Sequence, residues 1–577
     1  MRPALWIRRA AVLCSLSLVA CSSDSSDNDG STTDTGAGAD VVDDTTDDVG
    51  ADTGGGEDTG SDTVDPPVDV CAELELPVRA FDANGGGTNR RDVAGDFTVP
   101  LTDGTEWTLS EHWTGCETYV FIPDSIPIDD LDSRSIWVQD GDVLGLIERS
   151  PRNVHYFFVS RGSPGTTGDA TDAMTERVNA AIDSLPAGDA LWWSERLHVV
   201  DGSASALDGW LATVLSRGMG QLGFGIDRWQ QLRGVGSLAD VTRFDADLQA
   251  QELWPWERNM AYVAHEPWHW NVDIERQAAL DAVDATEVVL WDGDILEEFE
   301  DIEVELPSAA EMATFDTLEI DVSQRCPDAS VPEVGNCGAW DYLAHLYVFD
   351  GEEQLELARF ITTYHREGRF IVDATPMLVH LQDGGSRTFR WSFAPSWNTQ
   401  PTATNLTLRF SNQGKGMRPV ELVPLWSGGA FNSGYNDTQD TVRFTAPADA
   451  AKVELFAIIT GHGADTDQCA EFCNHQHEFN IGRGSYVREH PTVGNQEGCI
   501  AETANGMTPN QWGTWWFGRG GWCPGQQVEP FVVDITEDIT LGEETRARYF
   551  GLLRGQEPPD NAGNIVMTSH IVIYEAM

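Results

Sequence analysis

From about residue 286 to the C-terminus, apolar positions come in short runs divided by polar, Gly-bearing or Pro-bearing turns. The runs fall at 317–322, 344–349, 358–363, 388–393, 405–410, 420–425, 441–444, 453–460, 531–535, 548–553 and 565–573. They recur roughly every ten residues, and several alternate apolar with polar side chains. Such alternation buries one face of a strand and wets the other. The pattern therefore predicts antiparallel sandwiches or jelly rolls. A break near 411–418 predicts two of them side by side, over 286–414 and 415–577.

Residues 71–250 mix two periodicities. Segments 96–100 and 107–110 read as strands around the turn Leu101-Thr102-Asp103-Gly104. Segments 118–122 and 154–159 read as short buried strands. Over 173–185, Met174, Val178, Ala181 and Ile182 share a helical face, and 207–215 predicts another helix. This order, and the wording from Asp96-Phe97-Thr98-Val99-Pro100 to Trp107-Thr108-Leu109-Ser110, resembles a thioredoxin-like (redoxin) domain. The resemblance implies an α/β accessory domain. Redox chemistry in that family needs a low-pKa Cys at a helix start just after a buried strand. Here 123–130 holds no Cys, and Cys116 precedes the strand, so a scaffold without the chemistry is expected. Residues 251–285 read as a Trp-rich linker with a helix over 271–282. Within them His265-Glu266-Pro267-Trp268-His269 spells the H-E-x-x-H of zinc proteases. Pro267 lies mid-motif, where it opposes a continuous helix, so a packing loop is predicted instead.

Charge narrows the function. There are 94 Asp and Glu against 35 Lys and Arg, a formal net charge of −59. That excludes a phosphate-tracking nucleic-acid binder and a polybasic membrane-surface protein. Arg2, Arg8 and Arg9 precede a short apolar run over 10–20 that ends Leu18-Val19-Ala20-Cys21. This resembles a bacterial lipoprotein signal with its lipobox, which implies export, lipidation of Cys21 and membrane contact through that anchor only. Residues 22–70 hold fifteen acidic residues and no Lys or Arg, the composition of an extended tether. Of ten cysteines, Cys14 leaves with the signal and Cys21 is the lipidation site. The remaining eight, in an exported chain, predict four disulfides.

Candidate chemistry sits in the loops of the β region. Cys326 to Tyr342, Gly461 to Cys473 and Gly518 to Gly525 each combine a Cys anchor with Gly or Pro and a carboxylate, Arg or Trp. Four strings stand in order: C…C-x-x-W-D (Cys326 to Asp341), R-F-I-T-x-Y (Arg359 to Tyr364), C-A-E-x-C (Cys469 to Cys473) and R-x-G-W-C-P-G (Arg519 to Gly525). Together they resemble the peptide-N-glycosidase F family. The resemblance implies two eight-stranded jelly rolls with a site at their junction, and hydrolysis of the glycan–asparagine amide of glycoproteins or glycopeptides without a cofactor. It implies catalytic roles for Asp341 and Glu471, and substrate contact through Trp340, Tyr342, Trp397, His462, Arg519 and Trp522. It also implies the pairs Cys326–Cys337, Cys469–Cys473 and Cys499–Cys523, leaving Cys71 with Cys116.

A carboxylate can activate water or pass a proton to a departing amine, and a second can orient the nucleophile. Arg can hold developing negative charge, and Trp faces can stack on sugars. The chain departs from the family where Pro395 replaces an acidic residue, Tyr342 an Arg and His462 a Trp. Two alternatives stand beside this reading. One is a glycan- or protein-binding surface lipoprotein without catalysis. The other is a copper-dependent, monooxygenase-like enzyme using His475 and His477, which share a face if they lie on a strand.

Overall fold

The computed structural model describes residues 70–577 apart from 125–135, 138–141, 163–164, 166, 208, 218–221, 244–257 and 465–466. The expected signal peptide with Cys21, the expected tether up to residue 69, the 125–130 stretch and the opening of the 251–285 segment lie outside the described residues.

The N-terminal unit is a five-stranded mixed sheet. Its spatial order is Leu197–Ser203, Val154–Ser160, Thr118–Pro123, Phe224–Ile226, Leu232–Gly234. The first three strands are parallel and the last two add as antiparallel neighbours. Thr118–Pro123 and Val154–Ser160 are buried at every position, as strands covered on both faces must be. Val120, Ile122, Tyr156 and Phe158 face a core with Val143, Met174, Trp193 and Trp270. Tyr119, Phe121, Phe157 and Val159 face another with Val99, Trp107, Leu211 and Val214. Helices Asp142–Arg149, Gly168–Asp183, Ala187–Ser194 and His265–Asp281 thus cover one side, and helix Gly209–Ser216 the other.

Two local expectations change. The 107–110 strand stops at Thr108, and Leu109–His112 turns into a helix. Asp96 fastens that turn by accepting from Ser110 N at 3.0 Å and Ser110 Oγ at 2.5 Å. The helix expected from 271 begins at His265 and contains the whole H-E-x-x-H string. Pro267 falls in its first turn, where a missing N–H removes no intrahelical bond. Glu266 is fully buried and occupied. It accepts from Arg366 at 2.9 and 3.2 Å, from Asn510 at 3.0 Å and from Gly236 N at 3.0 Å. The string joins the N-terminal unit to the β region.

The first sandwich spans Ala285 to Ser411. One sheet is ordered Gly368–Asp373, Thr317–Arg325, Thr402–Ser411, Ala285–Leu296. The other is ordered Glu353–Ile361, Leu343–Asp350, Gly384–Ser392, Phe299–Ser308. Counted within the sandwich, the orders are 6-3-8-1 and 5-4-7-2, which is jelly-roll interleaving. The second sandwich, Met417 to Ala576, repeats these orders with one difference. Its first strand is split into Met417–Pro424 and Gly428–Phe431, both paired with Gly563–Ala576. One sheet therefore shows five segments where four were expected. The split occurs where Trp426 is pinned: its N–H donates to Ser569 Oγ at 2.9 Å, and that hydroxyl donates back to Trp426 O at 2.8 Å.

The sandwiches are laced together along Glu353–Ile361. Ile361 N donates to Gln526 O at 3.0 Å and Val528 N to Arg359 O at 2.9 Å. The buried Arg359 guanidinium pairs with Glu356 at 2.8 Å and crosses to Val566 O at 2.8 Å and Thr460 Oγ1 at 3.1 Å. An arginine paired and hydrogen-bonded at once can be buried without an orphaned charge.

Candidate active site

Asp341 stands on the loop between Thr317–Arg325 and Leu343–Asp350. The Cys326–Cys337 disulfide closes that loop. Thr362 Oγ1 donates to Trp340 O at 2.6 Å and accepts from Tyr342 N at 2.8 Å, so the peptide on each side of Asp341 is held. Gln400 Oε1 accepts from Ala339 N and Trp340 N. A Cβ at Gly338 would meet that oxygen at 2.4 Å, so a larger residue there would push Gln400 off these two N–H groups.

Glu471 stands on the loop between Lys452–His462 and His475–Ile481, inside the Cys469–Cys473 disulfide. Its N–H donates to Gly463 O at 3.1 Å, and its carbonyl accepts from Gly520 N at 2.7 Å. That second bond ties it to the Gly518–Gly525 loop, which the Cys499–Cys523 disulfide anchors. A fourth bridge joins Cys71 to Cys116 in the N-terminal unit.

Arg519 joins the two carboxylates. Its Nη2 is 3.4 Å from Asp341 Oδ2 and its Nε is 3.1 Å from Glu471 Oε1. Phe517 O accepts from Nη1 at 3.0 Å, and the guanidinium lies over the rings of Trp522 and Phe472. Burial raises the Asp341 pKa against the pull of Arg519. Burial also pushes Glu471 up to about 7; Arg519 opposes this and Asp341 adds to it. The Tyr364 hydroxyl sits against Asp341, and burial plus that negative charge hold its proton firmly. Tyr364 closes the R-F-I-T-x-Y string but was not among the residues expected at the site. Its signal was its place at the end of a strand that enters the site.

The six residues expected to touch substrate divide by exposure. Trp397 is 74% exposed and Trp340 46%. Tyr342 is half-buried; it lies edge-on to Trp397 and its hydroxyl accepts from Asn398 Nδ2 at 2.7 Å. Arg519 and Trp522 are buried. The Trp522 faces are taken by Arg519 and by His462, stacked at 5.6 Å, and its Nε1 donates to Gly461 O at 3.0 Å. Trp522 therefore offers no sugar platform, contrary to expectation, and supports Arg519 instead. His462 bonds Thr460 Oγ1 at 2.8 Å, and burial brings its pKa down to about 3. Pro395 lies in the loop just before Trp397.

The histidine pair lies behind the site loops, with His475 packed against Gly461 and Gly520. His475 and His477 do share a strand face, and a third histidine, His490, joins them. All three are buried, with ring nitrogens within 4.8 Å of one another. His475 Nδ1 and His477 Nε2 share a hydrogen bond of 2.6 Å, and His477 Nδ1 another of 2.6 Å with the Tyr549 hydroxyl. Burial keeps the rings neutral, His475 at about 4. His462 faces Trp522 and is not in the group.

Two jelly rolls with a carboxylate–guanidinium–carboxylate site between them define the architecture. Residues 430–572 match the family model described as "Peptide-N-glycosidase F, C terminal". The chain is 23% identical over 265 residues to peptide-N(4)-(N-acetyl-beta-D-glucosaminyl)asparagine amidase F of Elizabethkingia miricola, covering 42% of this chain and 69% of that protein. Among solved structures it resembles PNGase F, a glycosylasparaginase from Flavobacterium meningosepticum, at 17% identity and a TM-score of 0.40, over 51% of this chain and 97% of that one. PNGF-II is similar at 14% identity and a TM-score of 0.36, over 51% of this chain and 65% of that one. The chain is thus similar to the peptide-N-glycosidase F family, through the family's C-terminal model over residues 430–572 and through the Elizabethkingia miricola relative.

Proposed function

We propose that this chain is an amidase-like hydrolase acting on the bond between an N-linked glycan and asparagine in glycoproteins or glycopeptides. The reading rests on one observation: Asp341 and Glu471, from separate jelly rolls, meet on the buried Arg519 guanidinium. Asp341 is the group that activates water or delivers a proton to the departing nitrogen. Glu471, whose proton affinity is tuned to neutral pH, orients the water. Arg519 holds both carboxyls and offsets charge that develops beside them. Exposed Trp340 and Trp397 supply sugar-stacking faces at the mouth. The N-terminal signals further suggest export and a lipid anchor at Cys21, on the cell envelope. The N-terminal sheet, three parallel strands extended by an antiparallel hairpin, is compatible with a redoxin scaffold whose cysteines serve structure.

The test is release of glycans from a denatured glycoprotein by the full chain, with Asp341→Asn alongside. Release by the wild type and loss in the variant supports the reading. Binding of the glycoprotein without release favours a non-catalytic receptor. Stoichiometric copper in purified protein, lost in His477→Ala, favours the oxidoreductase alternative.

A further inference from the structure

This strongly acidic chain has 35 Lys and Arg in total, yet six arginines surround one cavity of about 240 Å3: Arg90, Arg91, Arg233, Arg325, Arg366 and Arg369. The cavity lies where the N-terminal unit meets the first jelly roll. Arg233 comes from strand Leu232–Gly234, and Arg325 ends strand Thr317–Arg325. Three of the six are matched by carboxylates. Arg366 pairs with Glu266 at 2.9 Å, Arg369 with Asp321 at 2.7 Å and Arg233 with Asp273 at 2.7 Å.

Asp227 and Glu333 on the same wall add pairs to Arg233 at 3.4 Å and to Arg366, and Arg90 also donates to Asp328 O at 2.8 Å, so Arg91 and Arg325 are the least compensated. Glu367 alone serves both Arg90, at 3.1 Å, and Arg91. The Arg325 guanidinium makes no hydrogen bond or ion pair with any described residue. His269, also on the wall and buried, has no hydrogen-bond partner for Nδ1 among the described residues. Burial, with Glu367 opposing and neighbouring arginines adding, lowers the pKa of Arg91 and Arg325. A guanidinium does not give up its proton in a protein. An added negative charge beside Arg91 and Arg325 would offset their mutual repulsion.

We propose that this cavity binds a small oxyanion, a carboxylate, sulfate or phosphate group, held by Arg91 and Arg325. The planar guanidinium fork matches such groups through paired N–H···O bonds. The volume falls below the roughly 300–1,000 Å3 of sites for drug-sized ligands, so it suits one charged group and not an oligosaccharide. An anion there would also bridge the two units that form the walls. The site adjoins the catalytic loop in sequence: Tyr364 touches Asp341, while Arg366 and Glu367 line the cavity. The inference does not depend on the amidase reading.

The test is calorimetric titration of the full chain with sodium sulfate, in a background of sodium chloride at matched ionic strength. Saturable sulfate binding that chloride does not reproduce is expected, with Arg325→Gln abolishing it. Arg443→Gln, an exposed arginine of the second jelly roll, should leave it intact. If Arg325→Gln does not fold, Arg325→Lys, which keeps charge but loses the fork, should bind sulfate about tenfold more weakly. Equal responses to sulfate and chloride would overturn the proposal, as would undiminished sulfate binding by both Arg325 variants. Titration with glucuronate and with phosphate then separates the sources: tighter glucuronate identifies a sugar acid, tighter phosphate a free inorganic anion.

Discussion

Asp341 and Glu471 lie on loops of two different jelly rolls, yet one guanidinium touches both, Arg519 Nη2 at 3.4 Å from the first and Nε at 3.1 Å from the second. Neither jelly roll alone carries the pair. The junction laced by Arg359 and the 526–528 segment is thus part of the site's construction. Two carboxyls in one buried setting acquire different proton affinities, which suits a division into reacting and orienting groups.

Asp341→Asn keeps the side chain's shape and removes its charge and basicity. Glycan release should fall by about a hundredfold or more, with no loss of fold by circular dichroism. Glu471→Gln should cost a comparable or smaller factor. Full activity in Asp341→Asn would remove the proposed chemistry.

The Glu471 pKa moves from 4.5 to about 7 because of burial. A carboxyl whose folded pKa lies above its unfolded one binds more protons when native. Its contribution to stability is complete below the unfolded value and is lost as pH rises through about 7. Unfolding free energy should therefore decline between about pH 5 and 7, and Glu471→Gln should flatten that decline. The kcat/KM profile should carry a limb near neutrality that the same variant removes.

The sequence exposed most of the β architecture because its strands alternate against a core, as Thr317–Arg325 and Thr402–Ser411 do. Two of the strands it hid show why. Phe299–Ser308 shows one face wholly to solvent, and although Ile302, Val304 and Leu306 alternate with carboxylates, the segment is too acidic to stand out as an apolar run. His475–Ile481 hid for the opposite reason: its buried face begins with two histidines, which no hydropathy pattern marks as core. The carboxylates of the site were legible through their Cys and Gly neighbours. The burial of Trp522 was not, since a tryptophan beside a cysteine has the same spelling whether its face is open or covered by an arginine. Pro267 misled because its cost depends on where the helix begins, and that start is fixed by Glu266 docking on Arg366 from another unit.

The Glu266–Arg366 pair is buried at both ends, and Asn510 and Gly236 N donate to the same Glu266 oxygen that Arg366 Nη1 contacts. Removing the Glu266 charge leaves Arg366 with Glu333 as its one carboxylate partner among the described residues, and it breaks a buried charge network. Glu266→Gln should lower unfolding free energy by about 3 kcal/mol or more, read by urea denaturation. A cost under about 1 kcal/mol, the level of an exposed pair, would mean that water reaches it.

The Cys469–Cys473 bridge encloses Glu471 and closes a loop with a sequence separation of only 4. Stabilisation by loop closure grows with loop length, so the double variant Cys469→Ser/Cys473→Ser should change the melting temperature little. Losing Cys499–Cys523, separation 24, should change it more. Activity should rank the other way. Freeing the short loop lets Glu471 drift from Arg519, and a misplacement near 1 Å can cost about a hundredfold. An equal activity loss in the two bridge variants, scaling with their stability loss, would reduce the short bridge to a structural role.

Trp397 projects 74% of its surface, and its closest ring contact is edge-on to Tyr342 at 6.3 Å. So exposed a side chain adds little to the core, and Trp397→Ala should leave the melting temperature within about a degree or two, as surface substitutions do. An indole this open beside two carboxyls is suited to stack on the apolar face of a sugar, a contact formed equally in ground and transition states. Such uniform binding sets KM and leaves kcat unchanged. Trp397→Ala should accordingly raise KM for a glycopeptide by about tenfold, with kcat within about twofold. Trp397→Phe should recover much of the loss, because the stacking face survives in a smaller ring. Trp340, whose flanking peptides are clamped by Thr362 and Gln400, gives the contrasting case. Its replacement disturbs the Asp341 loop, so Trp340→Ala should lower kcat together with affinity. If Trp397→Ala instead reduced kcat with KM unchanged, the exposed indole would belong to the reacting geometry and not to the mouth of the site.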